Sequence, residues 1–291
     1  MRTIAYLGPE KTNTHFAALK RFGKRNRFVH APTVEDIFHL VERRRADFGV
    51  VPVENSLEGA VAHTLDRFID FVDSPVRIQG EIEQPIQHYL IIRKGQKLTN
   101  IAAVFSHPQA LAQCHSWLQK HLPRDVDLHE TTSTAEGIEF LLEAKRATFS
   151  SKGMSTYGPS FCAAIGRIDL AKNVRERQLD AIKIPQDGEN KTRFLIIGLG
   201  EALKGKHNKT SIMFALKDKP GALHDALVPF KRHRINLTKI ESRPSKRKAW
   251  EYLFFIDVEG HVSEPRVQRA LKALQRSTAS YQLLGSYPIA R

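Results

Sequence analysis

The first 53 residues constrain the fold most, because short apolar runs alternate there with segments of helical period. Residues 2–7 and 28–30 read as short strands, and residues 48–53 as a third apolar run. Between them, residues 14–22 place Phe16 and Leu19 about one turn apart, and residues 34–44 set Ile37, Leu40 and Val41 on one face. Gly8-Pro9 ends the first run, and Pro52 with Glu54-Asn55 ends the third. A β-α-β-α-β order requires crossovers, and crossovers give a parallel sheet whose ligands sit at the carboxyl ends of its strands.

The pattern then repeats. Residues 82–92 and 101–105 read as strands, and 109–120 and 133–144 as helices, the last with Thr132 or Ser133 as N-cap. Residues 194–198 read as a late strand returning to the first sheet. This predicts an α/β domain of two lobes, like the bilobed periplasmic binding proteins, with the ligand in the cleft between them. Residues 201–208 are polar and lysine-rich and read as a linker. Beyond them, strands at 211–216, 236–243, 250–258 and 281–288 and helices at 222–233 and 264–276 give the ferredoxin-like order βαββαβ. The expected organisation is a catalytic domain at 1–200, with lobes 1–78 plus 176–200 and 79–175, and a second domain at 209–291.

Bulk properties exclude several classes. With 291 residues, 41% hydrophobic and 26% charged, the chain suits two globular domains. No apolar run reaches the roughly 18–20 residues of a membrane span. The N-terminus runs straight into a strand and reads as no leader peptide. Cys114 and Cys162 form no CxxC pair, so a reducing cytoplasm is expected. Residues 201–291 hold 18 Lys and Arg against 8 Asp and Glu, so +10 of the net +14 lies there. That third shows no nucleic-acid-binding motif, and the charge reads as a solvated basic surface.

Four polar clusters fall in predicted loops after strands: Gly8-Pro9-Glu10-Lys11-Thr12, Val53-Glu54-Asn55-Ser56 with Glu58-Gly59, Ser106-His107-Pro108-Gln109, and Lys191-Thr192-Arg193-Phe194. Helix N-termini bind anions through unpaired N–H groups, so together the clusters suit a small carboxylate ligand. Each alone fits helix capping equally well.

Six ordered blocks resemble the prephenate dehydratase family. They are residues 48–59 with Thr64-Leu65-Asp66; Ser106 to Leu111 with Gln113-Cys114 and Trp117-Leu118; Ser133 to Glu136; residues 190–198 around Thr192-Arg193-Phe194; Lys219 to Leu223; and Glu241 to Pro244. The last two resemble an ACT regulatory domain. The resemblance implies a lyase of phenylalanine biosynthesis that converts prephenate to phenylpyruvate without metal or other cofactor. It implies Thr192 beside the leaving hydroxyl, with Arg193, Asn55 and Ser56 in the catalytic group. Thr12, Glu54, Ser106, Gln113 and Phe194 are the substrate-binding candidates. Arg193 fits either a fork onto a substrate carboxylate or a salt bridge fixing the strand end, and Glu54 either the substrate or a brace for its loop. His107 reads as a cap or core residue as readily as a catalyst, and Cys114 as helix packing.

The resemblance also implies phenylalanine as allosteric ligand, held by Gly221, Ala222, Leu223, Glu241, Ser242 and Arg243. It implies a homodimer or homotetramer built by side-by-side pairing of the second domain. An arogenate dehydratase or related decarboxylase, and a weakly catalytic sensor of aromatic metabolites, are the alternatives. Three departures stand out: Lys11 where the family has glycine, Asn13 where it has an aromatic, and Arg167 where it has a small residue. Residues 150–160 also differ from the family's usual run.

Overall fold

The protein is seen here as a computed structural model describing residues 1–143, 161–168, 178–186, 188–245 and 251–290. The chain divides into two compact units. The first comprises Met1–Gly8, Thr14–Gln84 and Thr192–Arg291, and the second Pro9–Asn13 and Pro85–Lys191.

The first unit contains two sheets. Its N-terminal sheet uses β1 (Thr3–Leu7), β2 (Arg27–Ala31), β3 (Phe48–Asn55), β4 (Gly59–Ala60), β5 (Val76–Pro85) and β11 (Lys191–Leu199). They run in the order β2-β1-β3-β11-β5, with β4 paired to β3. The predicted crossovers are α1 (Asn13–Phe22) and α2 (Val34–Glu42), so β1 is parallel to both β2 and β3. Thr33 caps α2 by accepting from the Asp36 N–H at 3.1 Å, and Glu35 and Asp36 favour the positive end of the helix. A third helix, α3 (Ala62–Asp70), buries Leu65, Phe68 and Ile69. The late strand does return: β11 lies antiparallel between β3 and β5.

The C-terminal sheet is ferredoxin-like, as expected. It comprises β12 (Asn208–Leu216), β13 (Leu237–Pro244), β14 (Tyr252–Glu259) and β15 (Thr278–Pro288), in the order β13-β14-β12-β15. Helices here numbered α6 (Ala222–Arg232) and α7 (Pro265–Ser277) cover one face, packing Phe230, Leu271 and Leu274 on Ile212, Phe214 and Ile256. Alternation sends Met213, Ala215, Leu253 and Phe255 to the other face. There they share one core with Val53, Leu65, Phe68, Ile78 and Leu195 of the N-terminal sheet. Each large side chain so buried contributes about 1.5–3 kcal/mol. Backbone meets backbone at this junction. A Cβ on Gly285 of β15 would lie 2.3 Å from the Ile78 carbonyl oxygen of β5, so only glycine fits.

The second unit has β6 (Tyr89–Arg93), β7 (Ala103–Ser106), β8 (Asp127–Glu130), β9 (Cys162–Gly166) and β10 (Leu179–Lys183), ordered β10-β6-β9-β7-β8. Helices α4 (Pro108–His121) and α5 (Thr134–Glu143) pack on this sheet.

Four sequence expectations need correction. Residues 82–92 are not one strand. β5 ends at Pro85, which has no N–H for a ladder, and belongs to the first sheet, while β6 begins the second. The lobe boundary therefore falls after β5 rather than at 78–79. β10 pairs antiparallel with β6, so residues 179–183 belong to the second unit rather than the first lobe. The expected boundary at 175–176, the run 150–160, and the predicted element ends at Ala144 and Trp250 lie outside the described residues. The expected linker ends earlier in effect, because Asn208 and Lys209 are already buried in β12.

Candidate active site

The β3–β11 ladder builds the centre of the site. Register places Thr192 opposite Asn55 and Arg193 opposite Glu54. A bulge follows, and Phe194 then pairs with Pro52. Bulges of this kind re-aim side chains beside functional sites. Because strand neighbours point to opposite faces, the ladder presents a hydroxyl–amide pair on one face and an ion pair on the other.

On the first face, Asn55 is buried and its amide is oriented. Its Oδ1 accepts the backbone N–H groups of Leu57 and Glu58 at 2.9 and 3.2 Å. That Asx-type turn commits the oxygen and leaves Nδ2 to donate to Thr192 Oγ1 at 3.0 Å. A threonine hydroxyl that accepts one hydrogen bond donates a stronger one, since chained bonds polarise each other. Thr192 thus accepts from Asn55, and its own O–H can donate in turn. Ser56 lies exposed in the same turn.

On the opposite face, Arg193 lies in a cage of carboxylates. Its Nε and Nη2 donate to Glu54 Oε2 at 3.1 and 2.7 Å, and its Nη1 to Glu81 at 3.2 Å and Asp257 at 2.7 Å. Lys209 Nζ donates to both Glu81 oxygens at 2.9 and 3.1 Å. Lys239 Nζ lies 3.4 Å from Glu54. Three cations thus meet three anions. Asp257 is completed by a relay in which Ser211 donates to Oδ1 at 2.6 Å and accepts from the Tyr287 hydroxyl at 2.7 Å. Burial alone would lower the Arg193 pKa, but Asp257 and Glu81 hold it above the ordinary arginine value. Burial, with Asp257 and Glu81 nearby, pushes the Tyr287 phenol well up, so it stays a donor.

This geometry corrects three expectations. Arg193 takes the second of its two readings: its fork closes on protein carboxylates, and it fixes the strand end. Glu54 is the brace, paired with Arg193 and Lys239. Phe194, expected among the substrate-binding residues, is a core residue here. It is 1% exposed and packs with Ile4, Tyr6, Ala17 and Val50, because it alternates along β11 with Ile196 onto the same covered face.

In the second unit, Ser106 is fully buried and donates to the Ile165 carbonyl at 2.9 Å. Its hydroxyl locks β7 to β9, and burial removes it from the expected ligand-facing role. His107 is the N-cap of α4, accepting from the Gln109 N–H at 3.3 Å. Gln113 Oε1 lies 2.8 Å from His88 Nε2 and accepts from Asn190 Nδ2 at 3.0 Å, which fixes its amide. Cys114 packs as expected, and burial pushes its thiol up to about 12. Thr12 is half-buried in the Pro9–Asn13 segment.

That segment contains two of the departures, and the third meets it. Arg167 Nη1 donates to Asn13 Oδ1 at 3.0 Å, so two departures form one contact. Lys11 has a φ of 65°, the left-handed region that suits glycine. It pairs with Glu139 at 3.7 Å across an exposed surface. The loop is rebuilt around side-chain contacts where a glycine and an aromatic are the family pattern.

In the C-terminal domain, Gly221 has a φ of 74° and is the N-cap of α6, with Ala222 buried and Leu223 half-buried after it. Glu241, Ser242 and Arg243 lie on the edge strand β13. Arg243 Nε donates to Asp66 Oδ1 of α3 at 3.1 Å, so its guanidinium is committed to the neighbouring sheet's helix. Among the described residues, no hydrogen bond or ion pair joins the Gly221 turn to residues 241–243.

Sequence reading missed Glu81, Lys209, Lys239 and Asp257. The signal was available as a break in pattern: Glu81 and Asp257 are acidic residues at inward positions of apolar strands. A buried charge requires a partner, and that rule alone marks them.

Comparison with known proteins adds independent findings. Residues 4–202 match the family model described as prephenate dehydratase, and residues 210–276 the one described as ACT domain. The chain is 46% identical over 98% of its length to the bifunctional chorismate mutase/prephenate dehydratase of Aquifex aeolicus, covering 73% of that protein. It is 39% identical over 88% of its length to the prephenate dehydratase of Methanocaldococcus jannaschii, covering 86% of that protein. A crystal structure of prephenate dehydratase from Arthrobacter aurescens in complex with L-Phe superposes with a TM-score of 0.80 at 31% identity, covering 99% of this chain and 90% of that one.

Proposed function

The chain belongs to the prephenate dehydratase family, and on that premise we propose that its conversion of prephenate to phenylpyruvate turns on the Thr192 hydroxyl as Asn55 orients it. The chemistry asks little beyond placement. As the ring carboxylate leaves as carbon dioxide, its bonding pair moves through the diene and expels the ring hydroxyl. The ring becomes aromatic, and the oxygen departs as hydroxide, which takes a proton from solvent to become water. Thr192 donates a hydrogen bond to that oxygen as charge develops on it, which is how a fixed donor lowers a barrier. The single observation carrying this reading is the Asn55 Nδ2–Thr192 Oγ1 contact at 3.0 Å. Glu54 is engaged by Arg193 and Lys239 and braces its loop. Ser56, Thr12 and Gln113 enter as substrate contacts on the strength of their motifs.

Phenylalanine inhibits through the ACT domain. Its carboxylate meets the N–H groups at the start of α6, where Gly221 permits close approach, and its ammonium meets the Glu241–Ser242 end of β13. The likeness to a dehydratase solved with L-Phe supports this. In this reading a second copy pairing along the β13 edge completes the site, giving a homodimer or a dimer of dimers. Pairing also covers an edge strand on which Ile240 is 48% exposed. The protein works in the cytoplasm. Among the described residues, no helix is long and apolar enough to cross a membrane.

The test is phenylpyruvate formation from prephenate and from arogenate, with and without phenylalanine. Turnover of prephenate that phenylalanine suppresses is expected. Binding without turnover would leave a sensor of aromatic metabolites.

A further inference from the structure

We propose that Asp257, a residue of the ACT domain, is a positioning residue for the dehydration, acting through Arg193 on Thr192 even when no phenylalanine is bound. The inference rests on the reading that Thr192 serves the leaving group. It goes further in making the C-terminal domain part of the catalytic apparatus as well as a sensor.

Thr192 and Arg193 are consecutive on β11, and their partners Asn55 and Glu54 are consecutive on β3. The two rungs lie near the start of β11, and a bulge separates them from the regular rungs that run from Phe194 to Gly198. What holds them is the cage. Arg193 has one side bound to Glu54 on β3, and Nη1 bound to Glu81 on β5 and Asp257 on β14. Of the two carboxylates on Nη1, Asp257 makes the shorter bond, at 2.7 Å against 3.2 Å for Glu81. It is itself fixed by Ser211 and, through it, by Tyr287, both on C-terminal strands. Glu81 is shared with Lys209 of β12. The C-terminal sheet thus supplies one of the carboxylates that locate the guanidinium, and the guanidinium's position sets the end of β11 on which Thr192 stands. Misplacement of a catalytic group by about 1 Å costs roughly a hundredfold in rate. A partial loss of the cage should cost less, and should appear in turnover before it appears in binding.

The experiment compares kcat and KM for prephenate, without phenylalanine, in Asp257→Asn, Asp257→Glu, Thr192→Ala and the double variant Thr192→Ala/Asp257→Asn. Thermal melting confirms that each is folded. Asp257→Asn should lower kcat roughly tenfold with KM changed by about twofold or less, the pattern of a lost transition-state contact. Asp257→Glu should recover part of the loss. The double variant should be no slower than Thr192→Ala, because both changes act through one hydroxyl. A folded Asp257→Asn at parental kcat, or a double variant in which the two losses multiply, overturns the inference. If Asp257→Asn does not fold, Ser211→Ala takes its place: it should lower kcat a few-fold at unchanged KM, and parental kcat overturns the inference. An active Thr192→Ala would remove the reading beneath it. An inactive Thr192→Ala beside an unaffected Asp257→Asn would remove only the inference.

Discussion

Asn55 and Thr192 stand opposite each other on β3 and β11, 137 residues apart in sequence, and Asn55 Nδ2 donates to Thr192 Oγ1 at 3.0 Å. The direction of that bond follows from the turn after β3, where Leu57 and Glu58 take up the other end of the amide. Replacing the amide by a carboxylate keeps the turn acceptor and removes the donor. Asn55→Asp should therefore retain its fold and lose roughly ten- to a thousandfold in kcat, the range for a displaced electrostatic contact. Steady-state kinetics on the purified variant checks this. Parental kcat would show that Thr192 needs no such partner.

The caged ions yield a stability prediction. Glu81 is buried between Arg193 and Lys209. Glu81→Gln leaves a surplus of buried positive charge and should cost about 3–5 kcal/mol in denaturant unfolding. Adding Lys209→Met to that variant should restore much of the loss. A single variant as stable as the parent would mean that the cage is solvated in solution.

Lys11 occupies a backbone conformation that favours glycine. Lys11→Gly should relieve it, and loop stability measured by hydrogen exchange should rise or hold, with a shift of about 1 kcal/mol at most. The Michaelis constant for prephenate should stay put, because the Lys11 ammonium is directed to Glu139. A rise of roughly tenfold or more would instead make Lys11 a substrate cation, with about 1.4 kcal/mol of binding.

Cys114 gives a pH signature. Its folded pKa, about 12, lies above the ordinary thiol value because it is buried. The folded state therefore keeps a proton that the unfolded state loses first. Its contribution to stability is intact below pH about 8.5 and declines as pH rises toward 12. Cys114→Ala should flatten that part of the alkaline stability profile. In the native protein at pH 8, a thiol reagent should label Cys114 only at the rate of unfolding.

Much of this was legible in the sequence, and the parts that were not have a common cause. The strands around β1 and β3, the βαββαβ order, and the motif around Thr192 all rest on local periodicity or contiguous residues. The split at Pro85 was hidden because Glu81, Gln84 and His88 are buried polar residues, so β5 and β6 do not alternate cleanly. The roles of Arg193 were illegible for a stronger reason. Its partners Glu54, Glu81 and Asp257 lie 139, 112 and 64 residues away, and no local pattern brings them together. Phe194 shares a motif with Thr192, yet it stands further into the ladder, opposite Pro52, where the core covers it. Asn13 and Arg167 each read as an isolated departure until the fold placed them 3.0 Å apart.

The most direct measurement is the turnover of prephenate by Thr192→Ala. The account predicts a folded protein whose kcat is lower by roughly a hundredfold or more, with a much smaller change in KM. A folded Thr192→Ala enzyme that forms phenylpyruvate at the parental rate would contradict it.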